Sequence, residues 1–279
     1  MSKNLTAAAR KQFAAEVKHK YQGVGKLRDC VDRVTGVVGD THYFRLMGDG
    51  IASEKTSPSA DVIPMNVTHT IPPCTLTDWE ASEYTDIFNQ QTVNFSERQK
   101  LAYTIASALG RREDQIIINA LNGSSTTKSV AIGTTNMPVN KIASAGELMD
   151  DDEIPEGERF FIYSSSQKRS LLRTTEVGSV DYNSVKALVR GQQNDFYGFM
   201  FKMIGKNRGE GGLPVSTNDR TCFAYHRPSV GEAVGLDIRV RVDWVAQKTS
   251  HLSCGVIKAG ACVVDDEGIV DVHADESAA

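Results

Sequence analysis

Clustered glycines, histidine and cysteine groupings and runs of carboxylates are the residue types with which this chain of 279 residues could do chemistry. Gly209, Gly211 and Gly212 lie in the stretch GKNRGEGGLPVSTND (205–219). Phosphate cradling needs backbone N–H groups converging at a helix N-terminus, usually as Gly-x4-Gly-Lys-Ser/Thr, and that motif is absent. The stretch therefore reads as a flexible loop. His251, Cys254 and Cys262 are of metal-ligand type, yet a tetrahedral site needs a fourth ligand, and Cys262 falls in an apolar strand where a buried thiol is the ordinary outcome. Seven acids and no base occupy 147–158; they lack the alternating spacing and turn glycine of a calcium loop and read as a solvated acidic face. No Gly-x-Ser-x-Gly elbow and no His-Glu-x-x-His pair occurs, and the six histidines are dispersed. No catalytic, cofactor or metal site is expected.

With no reaction centre to position, the elements point to a different kind of work. The stretch 94–122, NFSERQKLAYTIASALGRREDQIIINALN, opens with a capping-box spacing at Asn94 and Glu97 and continues with Leu101, Ile105, Leu109, Ile116 and Ala120 at helical spacing. At 1.5 Å per residue such a helix runs for roughly 40 Å and would be a spine for the subunit. Gly110 costs it about 1 kcal/mol relative to Ala and marks a possible bend before Arg111, Arg112, Glu113 and Asp114. Residues 1–36 read as an amphipathic arm, with Phe13, Val17 and Tyr21 at helical spacing, too short and too charged to hold a core. In 37–75 the pattern changes to period two: a strand over 41–47 that includes Phe44, then Ile63, Met65, Val67 and Ile71 alternating with polar residues, as in a long two-stranded excursion. An isolated hairpin is marginal in water, so this one needs another surface to rest on. After the spine, short helices near 145–149, 166–172 and 182–189 alternate with strands at 159–163, 199–204 and 221–226, which makes 155–237 a compact α/β unit. A strand at 238–244 and strands at 254–264 and 269–273 close the chain and are grouped with the spine, giving 76–154 and 238–279 as one unit.

Charge is segregated along the chain although the net value is only −4. Residues 1–33 hold eight Lys or Arg against three acids, and no Lys or Arg follows Lys258. The small negative total argues against a dedicated nucleic-acid binder, while the segregation suits steering between copies of the chain. Five scattered cysteines, with no secretory signal ahead of them, are expected as reduced thiols in a cytoplasm. No run of about 18 or more apolar residues is present, so no membrane span is expected.

In the order of these pieces, and in the segments ALGRREDQIIINALNG (108–123) and CGVIKAGACVVDDEGIVDV (254–272), the chain resembles the major capsid proteins of tailed bacteriophages, whose fold was first seen in the Hong Kong 97 phage. The likeness covers nearly the whole chain. It implies an α+β capsid fold with an N-terminal arm (1–36), an extended β-hairpin loop (37–75), a peripheral domain with the spine helix (76–154 and 238–279) and an α/β axial domain (155–237). It further implies a non-enzymatic protein that assembles in the host cytoplasm, as pentamers and hexamers, into the icosahedral head shell of the virion. That shell would enclose double-stranded DNA without sequence specificity, and a portal and a separate scaffolding protein would be partners. Phe13, Tyr21, Phe44, Ile63, Met65, Val67, Arg208 and Glu210 are the expected inter-subunit contacts, with 205–219 facing the capsomer axis. Some members of the family crosslink subunits through a Lys–Asn isopeptide bond; Lys55 sits suitably in the loop, but no Asn follows Asn218, so no crosslink is expected. An encapsulin-like compartment protein shares the fold and is the alternative, with a soluble α/β enzyme as a third reading.

Overall fold

The computed structural model describes residues 25–58, 61–86, 97–173, 195–206 and 209–278. Phe13, Tyr21, Arg208, the helix start at Asn94 and the helix expected at 182–189 lie outside the described residues.

The apolar periodicity of the spine becomes a single helix, α1 (Glu97–Asn122), of 26 residues. Its two halves serve different cores. Ile105 and Leu109, four residues apart and so on one face, pack with Val234, Ile257 and Ala259. Farther along, Ile117, Ile118 and Leu121 are fully buried in a second, larger cluster with Phe161, Phe223 and Val272.

The first core lies under a four-stranded sheet made of β1 (Asp32–Thr35), β13 (Val230–Val245), β14 (Ser250–Val263) and β6 (Thr77–Asp86), in the order β1-β13-β14-β6. β1 runs parallel to β13, and the other pairs are antiparallel. The helix crosses this sheet where β14 has no side chain to obstruct it: a Cβ at Gly255 would lie 2.3 Å from Ile105 Cγ2 and 2.9 Å from Leu109 Cδ1.

The second sheet has the order β7-β15-β12-β8-β10-β9, from β7 (Ser129–Val130), β15 (Ile269–Asp275), β12 (Asp219–His226), β8 (Arg159–Ser164), β10 (Phe199–Ile204) and β9 (Asp195–Phe196), with β11 (Val215–Ser216) paired to β12. Two further helices, α2 (Val139–Asp150) and α3 (Ser165–Arg173), belong with it. In α2 the buried Val139, Ile142, Ala145 and Met149 fall on one stripe.

Three expectations change. The strand at 269–273 and the helix near 145–149 were grouped with the spine, but β15 pairs with β12 along its whole length, Tyr225↔Ile269 to Asp219↔Asp275, and so joins the second sheet. The unit expected at 155–237 therefore shares its sheet with 129–130 and 269–275, while its last residues, from Val230, already belong to the first sheet. The hairpin of 37–75 is paired only near its foot: β2 (Thr41–Tyr43) with β5 (Pro73–Thr75), and β3 (Leu46–Met47) with β4 (His69–Thr70). Ile63, Met65 and Val67 alternate without belonging to a strand, although Gly50 lies close against Met65 and Val67. Finally, the core begins inside the expected arm: Leu27, Cys30 and Val31 are buried in the larger cluster.

A buried lysine ties the second sheet to the turn before α2. The ammonium of Lys141 donates to the carbonyls of Ile132 (2.6 Å), Thr135 (2.8 Å), Asn136 (3.1 Å) and His273 (2.8 Å). Burial pulls its pKa below the ordinary lysine value, and the four carbonyls stand in for the water it has lost. Lys141→Met should lower the unfolding free energy by roughly 2–4 kcal/mol, since several carbonyls would be left without a donor; chemical denaturation of the isolated protein measures this.

Candidate subunit-interaction surfaces

The root of the N-terminal segment is fastened to the middle of α1. The Asp114 carboxylate accepts from the backbone N–H of Lys26 (2.8 and 3.0 Å) and of Leu27 (2.8 Å). Gly25 and Gly110 let the two backbones meet, for a Cβ on Gly25 would sit 2.8 Å from the Gly110 carbonyl oxygen. Gly110 therefore serves close approach, a role its reading as a bend did not anticipate.

Beside this joint lies a charge cluster. Arg33 reaches Glu113 on α1 at 3.0 Å, Glu232 on β13 at 3.1 Å and Asp237 at 3.4 Å, and Arg28 bonds Asp237. Glu113 and Glu232 are almost wholly buried. Burial pushes the Glu113 carboxyl up; burial and the neighbouring Glu113 push Glu232 to about 8, so Glu232 keeps its proton at neutral pH. Glu232 thus binds an extra proton in the folded state between its ordinary 4.5 and about 8. Its contribution to stability is complete below 4.5 and is lost as pH rises through about 8. Glu232→Gln, which cannot ionise, should flatten the fall of Tm between about pH 6 and pH 9 in a pH series of thermal melts.

The extended loop is where apolar surface is left uncovered. Ile51 is 86% exposed, Val62 90%, Ile63 67% and Met65 59%. Val67 is half-buried, whereas Phe44 is buried in its own chain with Cys74, Leu76 and Ala233. Phe44 thus packs at the loop's foot inside its own chain, not on the outward contact surface. There the strand β5 presses on β14 at a glycine: a Cβ on Gly260 would lie 2.1 Å from the Thr75 carbonyl oxygen. Gly260→Ala should force this joint apart and cost on the order of 1–3 kcal/mol, read as a lower denaturant midpoint.

The loop 205–219 is also tied inward. Glu210, expected at an outer contact, pairs with Arg112 of α1 at 2.5 Å, and Arg112 lies over the Trp79 ring, 4.3 Å from its centroid. Gln115 of α1 donates to the Gly212 carbonyl at 3.4 Å. Near the end of this loop, Arg220 bonds both Glu276 (2.6 Å) and the Leu213 carbonyl (2.7 Å). The buried partners Glu113 and Asp114 were missed as structural groups. For Glu113 a signal was present: it stands four residues after Leu109 and four before Ile117, on the face that periodicity buries.

The residues weighed for metal chemistry are kept apart. His251 and Cys262 lie on one strand eleven residues apart, roughly 36 Å along it. His251 stacks edgewise on Trp244, and Cys262 sits beside Cys74. Among the described residues no three His, Cys, Asp or Glu side chains converge as metal ligands, and no helix is long and apolar enough to cross a membrane.

The exposed apolar side chains of the extended loop are a surface suited to meeting another molecule. Residues 5–276 match the phage capsid protein family. The chain belongs to this family. A search of curated proteins finds no match. Among solved structures, the capsid protein is similar in fold to the head of Helicobacter pylori bacteriophage KHP40, with a TM-score of 0.75 at 11% identity over 94% of this chain and 95% of that one. It is similar also to the capsid of cyanophage P-SCSP1u, with a TM-score of 0.73 at 15% identity over 94% and 92%, and to that of Ralstonia phage GP4, with 0.71 at 11% over 96% and 95%. The α+β capsid fold thus persists where little sequence is shared. The chain is a structural, non-enzymatic component of the virion capsid.

Proposed function

We propose that this capsid protein closes the head shell as pentamers and hexamers around double-stranded DNA held without sequence specificity. The loop 37–75 lies over the adjacent subunit and shelters Ile63, Met65 and Val67 there; the part of the arm ahead of residue 25 reaches around the capsomer; and the loop 205–219 faces the capsomer axis. The axial unit is built on the second sheet and the peripheral unit on the first, with α1 as the spine of both. A portal and a separate scaffolding protein complete the assembly. One observation carries this reading: the large apolar side chains from Ile51 to Met65 are exposed on a segment that its own chain does not cover.

Negative-stain microscopy of the purified full chain tests it. Shells or capsomers are the expected result, and a stable, monodisperse monomer at all concentrations would refute it. Nuclease-protected DNA inside shells from infected cells is the second expected result; shells filled with cargo protein would instead mark an encapsulin-like compartment.

A further inference from the structure

The foot of the extended loop carries two thiols that no other feature of the chain uses. Cys74, fully buried on β5, packs with Cys262 of β14 in the small cluster around Phe44. The strands bearing them are pressed together at Gly260, two residues from Cys262. The remaining cysteines lie elsewhere: Cys30 and Cys222 in the larger core, and Cys254 at the other end of β14. All five are free thiols.

We propose that Cys74 and Cys262 are a disulfide site, closed by a small-molecule disulfide such as oxidised glutathione once the protein leaves a reducing compartment, and that the bond staples the loop's foot to the body of the same chain. Cys262 is the point of entry because it is partly exposed whereas Cys74 is not. Its thiolate attacks one sulfur of the oxidant, giving a mixed disulfide and releasing one small thiol. The Cys74 thiolate then attacks the Cys262 sulfur, forming Cys74–Cys262 and releasing the second small thiol. The protein loses two thiol hydrogens, and the oxidant, gaining both, is reduced to two thiols.

The surroundings favour the second step. Interaction with the Cys262 thiol holds Cys74 below the ordinary cysteine value, which makes it the readier resolving nucleophile, while the same contact raises Cys262. Cys30 and Cys222 are buried in the larger core, out of reach of the oxidant, so those two remain free thiols. The staple concerns contacts within one chain and stands whether or not copies assemble as proposed above.

The test is non-reducing peptide mapping of the full-length protein, purified under reductant and then exposed to oxidised glutathione, with free thiols alkylated in denaturant. A Cys74–Cys262 linked peptide should dominate, with Cys30 and Cys222 alkylated. In Cys74→Ser, Cys262 should accumulate as a stable glutathione adduct, and in both single serine variants the reductant-sensitive rise in Tm seen in the parent should vanish. Full alkylation of Cys74 and Cys262 after oxidation, or a glutathione adduct on Cys262 of the parent that never resolves, would overturn the proposal.

Discussion

Replacing Ile63, Met65 and Val67 together with Asp should abolish shell formation, with the yield of particles on a gradient falling at least tenfold, while the subunit stays folded. The side chains of Ile63 and Met65 are exposed by more than half and contribute little to the chain's own core. Substitutions away from packed contacts usually change stability by about 0.5 kcal/mol or less, so the Tm of the unassembled subunit should barely move. At the proposed interface the same change places three carboxylates where apolar groups would be covered, and each would lose its water without a partner. Electron microscopy of the gradient fractions decides it. Normal shells from this variant would remove the loop from the contact; an unfolded subunit would show that these side chains serve the monomer.

Asp114→Ala should be among the most damaging single substitutions in the chain, lowering stability by roughly 3–5 kcal/mol. Its carboxylate is wholly buried and accepts the N–H groups of both Lys26 and Leu27. Removing it leaves two donors at the root of the N-terminal segment with no replacement, immediately beside buried Leu27, Cys30 and Val31. The expected result is a large shift in denaturant midpoint together with early loss of amide protection at 26–31 in hydrogen exchange. An Asp114→Ala protein as stable as the parent would mean that the segment is held by its apolar contacts alone.

The chain also shows what a sequence can disclose. The spine was readable because periodicity is local: Ile105, Leu109 and Ile117 declare one helical face without knowledge of their partners. What Asp114 does was not readable, since its partners lie 87 and 88 residues away, and a charged quartet following a glycine has the same local pattern whether it faces water or a backbone amide. Strand positions were likewise legible at 159–163, 199–204 and 269–273, but not which sheet each joins, because pairing such as Cys222↔Val272 is settled by chain topology. The loop gave the opposite case. Its alternation predicts a ladder, yet alternation records only the preference for one covered face, and the cover proposed above is a neighbouring copy. Phe44 shared that pattern and was placed with the outward contacts, although Gly231, whose missing side chain makes room for its ring, was visible in the sequence only as another small residue.

The four carbonyls gathered around Lys141 resemble the coordination sphere of a monovalent ion. A bound calcium or potassium ion in such a place could be drawn out by chelators or dilution. Here the cation is bonded to the polypeptide, so its local concentration does not depend on the solution outside. A particle built from this chain keeps that clasp whatever the ionic composition of the solution around it.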